Sequence, residues 1–457
     1  MWIMTNLEKR KTIFLFISIR QHISDLLNTD YIKYLSKSYN TVIFILDQKG
    51  IDNPNKQYYK NEHITYIKLP LPKSRFWMLF DFYIRNELIK RFNDNIAVKW
   101  RNRRVGNKRR LFLRKIVRFI PDLSPKFIFS LETFFVPGYK QVAKYIKKYK
   151  PSLILTATPG IQPFDSYGVL CAKKAEVKTA SINTSWDNLT SVPRHIKGVD
   201  YMIVWNDWMK KIAKEMHGYK DDEVFVSGTI RFDHYFINSP DEIGKEDFLK
   251  SKGLDPNRRT IFFAARNYGG FFNKFIKSFI KWQKENYFGE KLNLFVRVHP
   301  LDPIAPYAEF KNTPNVYIER GGKQIQDDSI GGHKVEMSRE DLLNTKYTLK
   351  YCDVCINIVS TMSLEAMIFG KPVINIGFAE DFSTILNFPH YREVVKNKAV
   401  SIANDMNDLR DYISDYLKNP DMNKKGREKI LKQLVKPTDG FSYKRSVDFL
   451  KTIIDKI

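Results

Sequence analysis

The chain has 457 residues, 43% of them hydrophobic and 14% aromatic, and a formal net charge of +26. That length exceeds one ordinary core, so two domains are expected, and the apolar content excludes a disordered chain. The positive charge calls for an anionic partner: nucleic acid, an acidic membrane surface or a phosphorylated substrate.

Three cysteines exclude a disulfide framework and fit a reducing cytoplasm. Cys352 and Cys355 share a C-x-x-C spacing, but they flank a predicted strand and no second Cys/His cluster completes a zinc set. Buried thiols are expected there. No apolar run nears the ~20 residues that span a bilayer. Lys9, Arg10 and Lys11 precede TIFLFISI, yet Arg20 ends that run with no small-residue cleavage site. It therefore reads as a first buried strand and not as a signal peptide.

In chain order, Thr12 to Ser18 reads as strand, Asp25 to Ser38 as helix, Thr41 to Leu46 and Ile64 to Lys68 as strands. From 74 to 121 the pattern becomes aromatic and basic. Arg101, Arg103, Arg104, Lys108, Arg109, Arg110, Arg114, Lys115 and Arg118 alternate with apolar residues, and LFLRKIVRFI fits an amphipathic helix. Such a segment suits an anionic membrane surface through 100–118, each cation there being worth ~1 kcal/mol. A solvated helix packed on its own domain is the plainer alternative. Nucleic acid is disfavoured, since no recognition motif accompanies the charge.

Alternation then resumes: helix Pro137 to Tyr149, strand Ser152 to Ala157, helix Asp165 to Glu176, strands Lys178 to Asn183 and Tyr201 to Val204. A strand near Glu223 to Ser227 and a polar connector follow. The second set has strands IFFAA, NLFVRV and NVYI, a helix Phe271 to Trp282, and a mobile Gly-rich loop at Gly321 to His333. Asp353 to Phe378 reads as strand, tight turn, helix from Met362 to Phe369, Gly-Lys-Pro turn and strand. Helices Met406 to Leu417, Lys424 to Leu434 and Tyr443 to Lys456 close the chain. Strands alternating with helices predict doubly wound parallel sheets.

Ligands of such sheets sit beyond the carboxyl ends of the strands. In the second domain those ends carry Arg266, His299, and Ser360 with Thr361. An arginine, an imidazole, two hydroxyls and a helix N-terminus suit a phosphodiester or pyrophosphate. Met362 stands where a capping-box partner of Glu365 would be, which leaves that carboxylate for another task. In the first domain Asp165 opens a helix after one strand, and SWDNLTS after the next gathers Trp186, Asp187 and Asn188. Asp165 or Asp187 is a candidate base, or else an N-terminal helix acid and an Asx-turn residue respectively. Trp186 is a candidate for stacking on an acceptor sugar and Asn188 for binding its hydroxyls.

These motifs resemble the GT-B glycosyltransferases, particularly bacterial enzymes of surface-polysaccharide assembly, over most of the chain and most strongly from Val226 to Phe378. The Arg-x-His-Pro of VRVHP and the Ser-Thr of IVSTMSLEA are similar to motifs of bacterial sialyltransferases. Comparable elements occur in CDP-glycerol glycerophosphotransferases. The acidic pair followed by Gly of the sialyltransferase first domain is absent here. The resemblance implies that His299, Ser360 and Thr361 hold the donor phosphate and that Glu365 approaches the nucleotide ribose.

It also implies an α/β GT-B fold, two doubly wound Rossmann-like domains facing across a cleft. The expected bounds are 1–222 on the acceptor side, with the 74–121 insertion, and 223–435 for the nucleotide donor. A C-terminal helix, 436–457, has a return to the first domain as one option. The expected activity is inverting transfer of a sugar from a nucleotide-sugar donor to a glycan or lipid-linked acceptor, at the inner face of the cytoplasmic membrane. With no D-x-D triplet, neither a catalytic metal nor a cofactor beyond the nucleotide-sugar substrate is expected. Rival readings are a CDP-glycerol-type polyol-phosphate transferase, a sugar-nucleotide epimerase and an inactive lipid-binding scaffold.

Overall fold

Strands buried on both faces have to lie in parallel sheets covered by helices, and both large sheets of this protein are of that kind. The computed structural model describes residues 10–47, 51, 53–79, 116, 123–158, 162–191, 198–238, 242–265, 271–300, 302–324, 335–378 and 382–456. The chain divides into two units, Met1–Arg231 with Phe441–Ile457, and Phe232–Gly440. Of the basic segment 100–118 only Ile116 is described, and Arg266 and most of the loop 321–333 also lie outside the described residues.

The first unit contains β1 (Thr12–Ile17), β2 (Asn40–Leu46), β3 (Ile64–Leu69), β4 (Leu153–Ala157), β5 (Lys178–Ile182), β6 (Tyr201–Val204) and β7 (Val224–Val226). They form one parallel sheet in the order β3-β2-β1-β4-β5-β6-β7. Because β7 pairs with β6, Met202 opposite Val224, the first unit runs on to Arg231 and past the expected boundary at 222. The final helix, Ser442–Ile454, adds Val447, Leu450, Ile453 and Ile454 to this unit's core. Phe449 stacks on Phe225 at 4.3 Å, and Tyr443 meets Tyr34 edge-on at 5.7 Å.

The second unit contains β8 (Arg259–Ala265), β9 (Leu292–Val298), β10 (Val316–Arg320), the short antiparallel pair β11 (Lys323–Gln324) and β12 (Val335–Glu336), then β13 (Val354–Asn357), β14 (Val373–Ile376) and β15 (Ser401–Ala403). Its main sheet is parallel, in the order β10-β9-β8-β13-β14-β15. In each sheet the strand order reverses once, between β1 and β4 and between β8 and β13. A crevice at the carboxyl end of such a reversal is where doubly wound sheets take their ligands.

Two local readings of the sequence are corrected. The helix expected over Asp25 to Ser38 is interrupted: a π-turn at Ile23–Leu27 ends at Asn28, and extended Thr29 caps a separate helix, Asp30–Ser38, its hydroxyl accepting from Tyr31 N. Arg339–Tyr351 forms a helix that the sequence reading left out, opened by a reciprocal box between Ser338 and Asp341. All three cysteines are free and buried. Among the described residues no helix is long and apolar enough to cross a membrane.

The helix Pro163–Lys174 lies against β1 with residues 164 to 172 all buried. Gly168 permits this approach, for a Cβ there would stand 2.8 Å from the ring of Phe16. That ring cannot yield, being stacked on Phe44 at 4.8 Å and tilted against Phe164 at 5.4 Å. Gly168→Val is expected to lower stability by about 1–3 kcal/mol through overpacking, read as a lower urea midpoint. An unchanged midpoint contradicts this packing.

Candidate active site

In the second unit, β8, β9 and β13 are adjacent strands, and the residues following them carry the predicted donor site. His299 continues β9, and its backbone N–H donates to Ala265 O at 2.7 Å, tying the end of β9 to the end of β8. Arg266, next in the chain after Ala265, lies outside the described residues. After β13 the backbone turns sharply. Val359 has φ +31°, a left-handed conformation costly for a β-branched residue. Strain of about 1–3 kcal/mol persists only where the surroundings impose it.

Here a buried polar network imposes it. Asn357 Oδ1 accepts from Ser360 N at 3.3 Å, Ser363 Oγ at 3.1 Å and Asn375 Nδ2 at 3.1 Å. Tyr391 OH donates to Asn375 Oδ1 at 2.5 Å and lies 2.8 Å from Ser363 Oγ. Asn357, Ser363, Asn375 and Tyr391 are all fully buried, so the group is satisfied without water and holds the turn rigidly.

The turn differs from the expected open helix N-terminus. Ser360 Oγ accepts from Met362 N at 3.1 Å, and Ser360 O from Ser363 N at 3.0 Å. Thr361 makes no side-chain cap bond and is half-buried. Glu365, expected to be left for another task, is 5% exposed and accepts a hydrogen bond on Oε2 from the Tyr235 hydroxyl. Tyr235 is held edge-on against Phe369 at 5.4 Å. Arg297 of the VRVHP motif is buried and donates to Thr345 Oγ1 at 2.7 Å, so it belongs to the packing of this unit.

In the first unit, the ends of β1, β4 and β5 gather a second polar set. Asp165 is fully buried, and Ser18 Oγ, just past β1, donates to its Oδ2 at 2.5 Å. The same hydroxyl lies 3.2 Å from Nδ1 of His22, also fully buried. Beside them, Thr158 Oγ1 lies 3.2 Å from Thr184 Oγ1 and accepts from Asn188 Nδ2 at 3.0 Å.

Asn188 thus has its amide engaged within the fold, and Trp186 is 3% exposed. The indole is thus buried, where the sequence suggested an open stacking face. Asp187 accepts from Ser185 Oγ at 2.5 Å and Ser191 Oγ at 3.1 Å, while its carbonyl accepts from Thr190 N and Ser191 N. It closes the turn into the short helix Asn188–Ser191. Ser18, His22, Asn357 and Tyr235 were missed as site residues. Polar side chains directly after β1 and one Asn inside the apolar run of β13 were the available signals. Among the described residues no group of three or more His, Cys, Asp or Glu is placed to hold a metal.

Residues 129–327 match the family model of CDP-glycerol:poly(glycerophosphate) glycerophosphotransferase. That span runs across the ends of β4 to β9 and includes Asp165 and His299. No curated protein matches the chain significantly. Among solved structures, the wall teichoic acid polymerase TagF, in a variant soaked with CDPG, aligns at 11% identity and TM-score 0.54, covering 98% of this chain and 89% of that one. S. aureus MnaA with UDP aligns at 13% identity and TM-score 0.53, covering 98% of both chains. The UDP-GlcNAc 2-epimerase of Neisseria meningitidis bound to UDP-GlcNAc gives 12% identity and TM-score 0.53, covering 96% of this chain and 100% of that one.

Two parallel doubly wound units with these likenesses define a GT-B fold. The chain is a transferase of that fold. Within the class, its resemblance by sequence is to the CDP-glycerol glycerophosphotransferases over residues 129–327.

Burial raises the Asp165 pKa well above the ordinary carboxylate value, and the Ser18 bond opposes that rise. A folded-state pKa above the unfolded one favours folding fully below the unfolded pKa, and this contribution is lost as pH rises through the raised value. Asp165→Asn is therefore expected to gain stability relative to the wild type as pH increases above the usual carboxylate range. Urea unfolding across a pH series reads it, and parallel pH profiles contradict it.

Proposed function

We propose that this transferase moves a polyol phosphate from a CDP-glycerol-type donor to a polyol or glycan acceptor. The observation that carries the reading is the family match across residues 129–327. It favours the polyol-phosphate rival over the sugar transfer first expected from the sequence. In this reaction an acceptor hydroxyl oxygen attacks the phosphorus that bears glycerol. A P–O bond forms, the P–O bond to CMP breaks, and CMP leaves with the negative charge.

His299, Ser360 and Thr361 at the ends of β9 and β13, with Arg266 after β8, would hold that charge as it develops. Tyr235 would fix the rotamer of Glu365 for a ribose hydroxyl. In the first unit, Asp165, joined to His22 through the Ser18 hydroxyl, would take part in removing the acceptor proton. Asp187 serves the turn in this reading.

The charge of +26 and the cations among apolar residues at 100–118 support attachment to an anionic membrane surface. Arg103, Arg104, Arg109 and Arg110 changed together to Gln should release the protein from anionic vesicles in sedimentation. Equal pelleting of wild type and variant contradicts that attachment.

The donor site is tested with CDP-glycerol and a set of nucleotide sugars, following nucleotide release with and without acceptor. Acceptor-dependent CMP release from CDP-glycerol is expected. Conversion of a nucleotide sugar without acceptor indicates the epimerase chemistry of the structural neighbours instead. Loss of a hydrogen bond to a charged phosphate costs about 1.5–3 kcal/mol. His299→Ala and the Ser360→Ala/Thr361→Ala pair should thus bind CDP-glycerol roughly 10- to 150-fold more weakly in calorimetry. Unchanged affinity in both displaces the phosphate site.

A further inference from the structure

The helix Pro125–Phe134 of the first unit has its polar and apolar sides reversed. It carries Phe127, Ile128, Phe129, Leu131 and Phe134, and a helix apolar all round belongs in a core or against lipid. One side is packed. Ile128 is buried, and a Cβ on Gly198 would stand 2.5 Å from the Phe129 ring. The residue that ought to meet water lies on that side too: Glu132 is buried and accepts from Trp77 Nε1 at 3.3 Å. A bond between two buried polar groups is costly to break, so the helix cannot rotate to hide its other side.

That other side is apolar and open. Phe127, Leu131 and Phe134, spaced i, i+4 and i+7, are all exposed, Phe134 by 73%. Phe135 meets Phe134 edge-on at 4.8 Å and Phe76, itself 65% exposed, at 6.1 Å. Single exposed hydrophobes are ordinary, whereas a contiguous apolar face marks an interaction surface.

The charges around it indicate which kind. Glu132 is the only acid between 123 and 158, against Lys126, Lys140, Lys144, Lys147, Lys148 and Lys150. Lys73 and Arg75 are exposed just before Phe76, and Lys174 Nζ donates to the Phe134 carbonyl at 3.4 Å. Protein interfaces favour Tyr, Trp and Arg, whose polar ends are paired within the contact. Phe and Leu side chains carry no polar atom, and with cations about them they suit the boundary between acyl chains and anionic headgroups.

We propose that this face enters the headgroup–acyl boundary of an anionic membrane as an apolar anchor of the first unit. The anchor deepens the membrane attachment read above from the charge of 100–118, and it does not depend on which group is transferred. Attachment by charge weakens as the Debye length falls from ~10 Å at 0.1 M salt to ~3 Å at 1 M, whereas apolar burial persists.

The full chain is sedimented with phosphatidylglycerol vesicles at both salt concentrations. The wild type is expected to stay partly bound at 1 M salt. Phe127→Ser/Phe134→Ser should bind at least ~10-fold more weakly there, a difference of ~1.4 kcal/mol. Phe134→Ser alone serves should the pair fail to fold, which the urea midpoint reports. Complete release of the wild type by 1 M salt, or equal binding by wild type and folded variants, overturns the proposal. So does a wild-type dimer in analytical ultracentrifugation that dissociates in the variant while vesicle binding is unchanged, since the face would then join two copies of the chain. The Arg103→Gln/Arg104→Gln/Arg109→Gln/Arg110→Gln variant should bind less at 0.1 M salt and as the wild type does at 1 M. Salt-resistant binding that this variant alters at neither concentration, but the phenylalanine variant abolishes, supports the anchor while refuting attachment by charge, so the two failures are distinct.

Discussion

Asn357 is the polar last residue of an otherwise apolar, fully buried strand, and the turn that follows is arranged to satisfy it. An unmet amide at that depth is costly, and one arrangement meets it: Ser360 folded back over the end of β13, Ser363 in the first turn of the helix, Asn375 on the next strand. The consequence is a backbone at Val359 in a conformation that residue would not choose. The hydroxyl-bearing turn beside β8 is therefore set by a buried hydrogen-bond network and owes little to the loop's own preferences. Pre-organisation of this kind would remove an ordering cost from the phosphate binding proposed for this turn.

The first unit solves a similar problem by close packing. Gly168 lets a helix approach the ring of Phe16, and that approach brings Asp165 beneath the end of β1, where Ser18 meets it. A carboxyl fully removed from water keeps its proton more tightly, and a hydroxyl between it and an imidazole gives the proton a short path. Both sets of polar residues lie where their sheet reverses its strand order. Geometry alone leaves the ends of two diverging loops unfilled at that position.

Much of this was legible in the sequence because buried parallel strands read as apolar runs punctuated by Gly and Pro. The strands around β13 and β14, and His299 and Ser360 at strand ends, followed from that pattern. Other parts were not legible, for physical reasons. Tyr235 and Glu365 meet across 130 positions, a separation that no local pattern reports. Trp186 and Asn188 read as acceptor contacts because residue type says what a side chain can do, and burial decides whether it is accessible. The helix Arg339–Tyr351 escaped because its buried face includes Thr345, Lys346 and Thr348. Lys346 is carried there by the Ile237 carbonyl at 2.7 Å and Glu242 at 3.1 Å, which blurs the apolar period expected of a buried helix.

The family match favours phosphoryl-polyol transfer and the fold alone accommodates sugar transfer, so the bond formed in the product distinguishes them. Phosphorus-31 NMR of the purified product, made by the full chain from CDP-glycerol and a soluble polyol acceptor, observes that bond directly. Polyol-phosphate transfer predicts a new phosphodiester resonance growing in step with released CMP. A product free of phosphorus, formed only when a nucleotide sugar replaces CDP-glycerol, contradicts it.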